Sequence, residues 1–170
     1  IDSVLHKDMG TYLQNLESRY ELINRMKPLL AKKNGKVTAY EIHDNFLLFW
    51  FRFIYPYQSL IERNLFSLLR SNIENNYEGF TGRTLERYFQ DKFMETEQFT
   101  QIGNWWDRKG ENEIDLIAIN EFTHTGLIAE IKRNVHKLSM SKLQEKIAIL
   151  PKKDFGEYEF ETIGLSLQDM

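Results

Sequence analysis

Asn112-Glu113-Ile114-Asp115-Leu116-Ile117-Ala118-Ile119 and Gly126-Leu127-Ile128-Ala129-Glu130-Ile131-Lys132 are the two stretches that decide the fold. Both are short aliphatic runs bounded by polar turns, a pattern that predicts strands. The continuous apolar run from Ile114 to Ile119, broken only by one acid, predicts a strand covered on both faces. Side chains alternate along a strand, so Glu130 and Lys132 share one face while Ala129 and Ile131 take the other. Asp115 lies inside its own apolar strand, where an unpaired carboxylate is costly. With the two strands adjacent, Asp115 meets Glu130 and Lys132 at one pole of a sheet. Two carboxylates and an ammonium are tolerable there if a divalent cation offsets the repulsion between the acids.

Outward from this pair, the second half of the chain reads as an α/β unit. A helix is predicted over residues 82–94, with Leu85, Tyr88, Phe89 and Phe93 on one broad face. A strand follows over 98–106, then a polar turn at 107–112 containing Gly110, then the two strands above. A helix over 139–150 turns Leu143, Ile147 and Leu150 inward, and a last strand spans 158–167. The order is helix, three strands, helix, strand. Glu86 neighbours Leu85 at the edge of the buried stripe and can bring a third carboxylate to the pole.

Phosphodiester hydrolysis needs such a cluster. Mg²⁺, or Mn²⁺ in its place, prefers hard oxygen ligands. Asp115, Glu130 and Glu86 are the candidate ligands. Asp115, Glu130 and Lys132 are the candidate catalytic set, with Lys132 orienting water or stabilising charge on the phosphate. The plainer alternative is a strand-edge salt bridge on an inert sheet, with Glu86 a solvated helix residue.

The first half has a different pattern. Thr11 to Met26 carries apolar residues at spacings of three and four, which predicts an amphipathic helix ended by Pro28. Residues 28–30 and 37–42, flanking Asn34-Gly35, are expected to form a hairpin. Helix and basic-tipped hairpin together match the end of a winged helix, whose Lys32, Lys33 and Lys36 are candidate nucleic-acid contacts. His43-Asp44-Asn45 caps a further helix bearing Phe46, Phe49, Trp50 and Phe53, kinked or ended at Pro56. The aromatic stripe over residues 46–57 is expected to pack as core or as an interdomain interface. The polar stretch 71–76 is expected to end the helical pattern and to mark a boundary. The divisions are a partial winged helix over 1–43, a helical connector over 44–75 and the α/β unit over 76–170.

Composition narrows the function classes. The 170 residues are 42% hydrophobic and 28% charged, as in ordinary globular proteins. With no cysteine, disulfides and thiolate metal sites are excluded, which fits a cytoplasmic setting. No apolar run approaches the ~20 residues of a membrane span, so no membrane association is expected. The net charge of −3 is split unevenly, +2 over residues 1–75 and −5 over 76–170. Any DNA contact therefore relies on local basic patches rather than on a global field. The chain opens at Ile1 inside patterned sequence, as expected of a piece of a longer protein.

Ile114-Asp115, followed fifteen residues later by Glu130-Ile131-Lys132, resembles the D…E-x-K core of the PD-(D/E)XK nucleases. No proline precedes Asp115, a departure from the full pattern. Gln144 falls on the following helix, where some members carry a glutamine. The resemblance implies a restriction-endonuclease-like core over residues 76–170. The whole chain, through Tyr20-Glu21-Leu22-Ile23, Asp44-Asn45-Phe46-Leu47, Phe49-Trp50-Phe51-Arg52-Phe53 and Trp105-Trp106, is similar to the C-terminal portion of archaeal-type AAA+ ATPases, also found in bacteria. That likeness implies an ATPase domain elsewhere in the same polypeptide as a partner. No G-x-x-x-x-G-K-[ST] loop is present, so no nucleotide site of that kind is expected in this stretch. The expected activity is Mg²⁺-dependent DNA cleavage. The alternative is a catalytically silent regulatory or protein- and DNA-interaction module of the ATPase.

Overall fold

A computed structural model describes residues 9–31 and 37–170. The chain divides into two compact units, Ile1–Met26 with Thr38–Asn75, and Lys27–Val37 with Asn76–Met170. The first contains helix α1 (Gly10–Ser18), strands β1 (Ile23–Met26) and β2 (Ala39–Ile42), and helices α2 (Asn45–Phe49) and α3 (Gln58–Glu62). Helix α4 (Phe66–Met94) begins in the first unit and continues into the second. The second unit adds β3 (Gln101–Trp106), β4 (Glu113–Asn120), β5 (Thr125–Ile131), α5 (Met140–Ala148), α6 (Lys152–Phe155) and β6 (Glu159–Leu165).

Four expectations for the first half are corrected. The helix over 11–26 ends at Ser18, and its last residues form β1, which pairs antiparallel with β2. Glu21 takes a left-handed turn at φ 52°, which breaks the helical path. The strand partner of β2 is therefore residues 23–26 rather than 28–30. The chain at Leu29 instead donates its N–H to Asn104 O at 2.9 Å, alongside β3. Third, residues 71–76 do not interrupt the helix. Asn and Ser are poor but tolerated helix residues, and Arg70 pairs with Glu74 one turn on. Fourth, most of the stripe 46–57 is exposed, with Phe46 at 68% and Tyr55 at 58%, and only Phe53 is fully covered. Asp44 does cap α2, accepting from Leu47 N at 2.7 Å, and a π turn at Trp50–Ile54 precedes Pro56. Lys32, Lys33 and Lys36 lie outside the described residues.

The second unit is a mixed α/β fold. Its sheet runs β3-β4-β5-β6, with the first two pairings antiparallel and β5–β6 parallel. One face buries Leu116, Ala118, Leu127, Ala129 and Ile131 against Leu85 and Phe89 of α4. The other buries Ile114, Ile117, Ile119 and Ile128 against Leu143 of α5, Leu150 and Phe155. Helical cover on both faces is the reason β4 and β5 read as nearly unbroken apolar runs. Gly126 is required by close approach: a Cβ there would stand 2.5 Å from the Phe160 ring and 2.7 Å from Ala118 O. Among the described residues no helix is long and apolar enough to cross a membrane.

Candidate active site

The placement of Asp115 starts with an irregularity in β4. Gly103 pairs with Ile117, and Trp105 with Ile114, so Asp115 and Leu116 together oppose the single residue Asn104. This is a β-bulge, and it shifts the phase of the strand. Ile114 and Ile117, three apart, consequently pack in the same core layer. Leu116 and Ala118 pack in the opposite one. Bulges bend a strand and re-aim side chains. Here Asp115 turns toward the end of β5.

The β4–β5 ladder runs from Asn120 opposite Thr125 to Leu116 opposite Ala129. Beyond it the Asp115 side chain takes over as acceptor. Ile131 N donates to Asp115 Oδ2 at 2.9 Å, and Lys132 Nζ donates to the same oxygen at 2.7 Å. Lys132 Nζ also donates to Ile131 O at 3.0 Å and stands 4.0 Å from Glu130 Oε1. Glu130 Oε2 accepts from Ser139 N at 2.6 Å, at the start of α5. Asp115 and Glu130 are both buried, at 7% and 4% exposure, and each is satisfied by these donors. Asp115, Glu130 and Lys132 are thus brought together at one end of the sheet.

Glu86 faces the same cluster from α4. Its carboxyl is pushed up to about 8, first by burial and then by the negative charges of Asp115 and Glu113. Lys132 and Arg83 oppose that rise without cancelling it. The Lys132 ammonium is pulled down by burial. The hydrogen bond and charge of Asp115, with Glu130 and Glu86 behind them, outweigh this and hold it above its ordinary value. Lys132 therefore remains a cation at neutral pH.

In donor chemistry this set suits a hard divalent cation. Protein hydrogen bonds go to Asp115 Oδ2 and Glu130 Oε2, and Glu130 Oε1 stands 4.0 Å from Lys132 Nζ. The Glu86 carboxyl is raised first by its own burial, with the charges of Asp115 and Glu113 adding to the rise. Among the described residues, however, no group of three or more acidic or histidine side chains is already drawn together as a metal cage.

Sequence reasoning missed several supports. Ser139 caps α5 through its hydroxyl while its N–H holds Glu130. Arg133 donates to Thr81 Oγ1 at 2.8 Å and lies over the Tyr77 ring, and Lys137 pairs with Glu78 at 2.7 Å. These contacts pin the segment after β5 to α4. A serine opening a helix was a visible signal, but the tertiary reach of its N–H was not. Gln144 reaches Thr162 of β6 at 3.4 Å, and none of its hydrogen bonds goes to the acids.

Comparison with known proteins places the chain without naming an activity. An uncharacterized protein of Methanocaldococcus jannaschii is 33% identical over 176 residues, covering 96% of this chain and 38% of that protein. The chain thus spans well under half the length of its relative. No solved structure matches it. Residues 50–147 match the family model DUF234, described as archaeal and bacterial proteins of unknown function, and the chain belongs to that family.

Proposed function

We propose that this chain is the C-terminal part of an AAA+ ATPase and that residues 76–170 form a PD-(D/E)XK nuclease-like domain cleaving DNA phosphodiesters with Mg²⁺. The observation that supports this most is the meeting of Asp115, Glu130 and Lys132 at one sheet end, 2.7 and 4.0 Å apart, with Glu86 facing them. Asp115, Glu130 and Glu86 would hold the ion. When bound, it polarises a phosphate oxygen and lowers the pKa of a coordinated water. Lys132, a cation held beside Asp115 and Glu130, orients the attacking water or stabilises negative charge growing on the phosphate. Ser139 N holds Glu130 in place, and Ile131 N does the same for Asp115. The ATPase module belongs to the remainder of the polypeptide, and Lys32, Lys33 and Lys36 are proposed DNA contacts.

The test is cleavage of plasmid, linear and branched DNA by the purified chain in Mg²⁺ or Mn²⁺, beside Glu130→Ala. Metal-dependent cutting should appear and should vanish in the variant. Cutting that survives the substitution removes the assignment.

A specific observation favours a second reading, a silent regulatory module. Lys132 and two backbone N–H groups already satisfy the buried acids without metal. Sites keep a fold and lose a reaction. Under this reading calorimetry detects no Mg²⁺ or Mn²⁺ binding at millimolar concentration. Measurable binding that Glu130→Ala abolishes counts against it.

A further inference from the structure

A concavity opens at the end of β3, between the turn that follows it and α6. It has a volume of about 560 Å³, within the ~300–1,000 Å³ range of small-molecule sites. Leu29, Leu30, Trp105 and Trp106 supply apolar and aromatic wall, and Arg108 and Asp154 supply opposite charges. Trp105 is buried and fixed in the core, whereas Trp106 is half-exposed.

The cation is carried on a built turn. Asp107 Oδ1 accepts from Lys109 N and Glu111 N, each at 3.0 Å, and Oδ2 accepts from Asn112 Nδ2 at 2.7 Å. Gly110 supplies the positive φ of 71° that closes the turn. Both oxygens of Asp107 are engaged in closing the turn that carries Arg108. Asp154, an acceptor only, is exposed on α6. A ligand matching this lining has a flat ring for Trp106, an amine for Asp154 and an anion for Arg108.

Strand register ties the pocket to the acids. Trp106 pairs with Glu113 and Trp105 with Ile114, the residue before Asp115. A nucleotide seated here therefore lies along the same strand end as the cluster. We infer that the Trp106–Arg108–Asp154 pocket takes one unpaired nucleotide of the DNA substrate, its base on Trp106, its exocyclic amine on Asp154 and its phosphate on Arg108. The inference rests on the nuclease reading and deepens it. The substrate class becomes DNA with single-stranded character, such as an end, a flap or a branch.

Binding is measured in EDTA, so that no chemistry intervenes, with a single-stranded oligonucleotide carrying one 2-aminopurine. The Glu130→Ala chain should bind it, quenching the probe by stacking. Trp106→Ala and Arg108→Ala should each weaken binding by about tenfold or more, the range of a lost base stack or phosphate contact. Asp154→Asn should weaken adenine- or cytosine-containing probes more than thymine-only ones. Arg108 is exposed, so its variant tests the pocket even if Trp106→Ala unfolds, which circular dichroism reports. Equal affinity for blunt duplex, or indifference to the Arg108 substitution, overturns the inference. Cleavage by the parent chain that ignores these substitutions sinks the pocket alone. Pocket-dependent binding without metal-dependent cleavage sinks the nuclease reading and leaves the pocket standing.

Discussion

Replacing Glu86 with glutamine should stabilise the second unit, and by more at high pH than at low. The folded carboxyl sits at about 8, against an ordinary 4.5. A carboxyl whose folded pKa is raised takes up a proton on folding anywhere between the two values. The folded state is therefore favoured toward low pH, and stability falls as pH rises from about 4.5 to about 8. At about 1.4 kcal/mol per pH unit, that interval sets a ceiling of about 5 kcal/mol. Glu86 is only half-buried, and water at its exposed part reduces the realised effect to about 2–3 kcal/mol. Glutamine keeps the shape and removes the titration. The assay is urea unfolding at pH 5, 6, 7 and 8, followed by Trp105 and Trp106 emission in a Trp50→Phe background. The parent midpoint should fall with pH while the variant's stays flatter. Saturating Mg²⁺ should flatten the parent profile too, since a cation beside the carboxylates favours their charged forms. Parallel profiles for the two chains refute the electrostatic account of this cluster.

Two further substitutions test the architecture that positions the site. Asp115→Asn keeps an oxygen to accept from Ile131 N but loses the charge facing Lys132, so it should cost about 1–2 kcal/mol, whereas Asp115→Ala orphans both donors and should cost about 3 kcal/mol or more; equal losses in chemical denaturation would show that the backbone bond contributes nothing. Gly126→Ala forces a Cβ into Phe160 and the Ala118 carbonyl, and should lower stability by about 2–4 kcal/mol, read as a fall in thermal midpoint; an unchanged midpoint would mean that β5 and β6 separate more readily than their register implies.

What was legible in the sequence was whatever depends on local pattern. The strands at 113–120 and 125–131, the capped helix at 140–148 and the last strand at 159–165 follow from runs bounded by turns. The first half was less legible because its outcome depends on single backbone choices. Glu21 adopts a left-handed conformation that amphipathic spacing does not announce, and the helix over 11–26 becomes helix and strand. The polar residues 71–76 look like a break, yet helix propensities differ by only ~0.7 kcal/mol per residue among ordinary types, too little to stop a helix anchored beyond them. At the site, alternation along β5 gave Glu130 and Lys132, but the bulge at Asp115–Leu116 has no local marker. The partner that sets the bulge is Asn104, in another strand.

That bulge links fold to chemistry. A regular β4 would continue its ladder past Leu116 and direct Asp115 by simple alternation, in phase with Ile117 and Ile119 in the layer that packs on α5. In the folded chain the β4–β5 ladder stops at Leu116, beside the bulge, and the Asp115 carboxylate accepts from Ile131 N. Backbone carbonyls are neutral, so substituting a carboxylate concentrates negative charge at the place where two strands part. Lys132, the next residue after that acceptor's partner, answers the charge from within the same turn of chain. The bulge, the end of the β4–β5 ladder and the Asp115–Lys132 pair thus coincide at one end of the sheet.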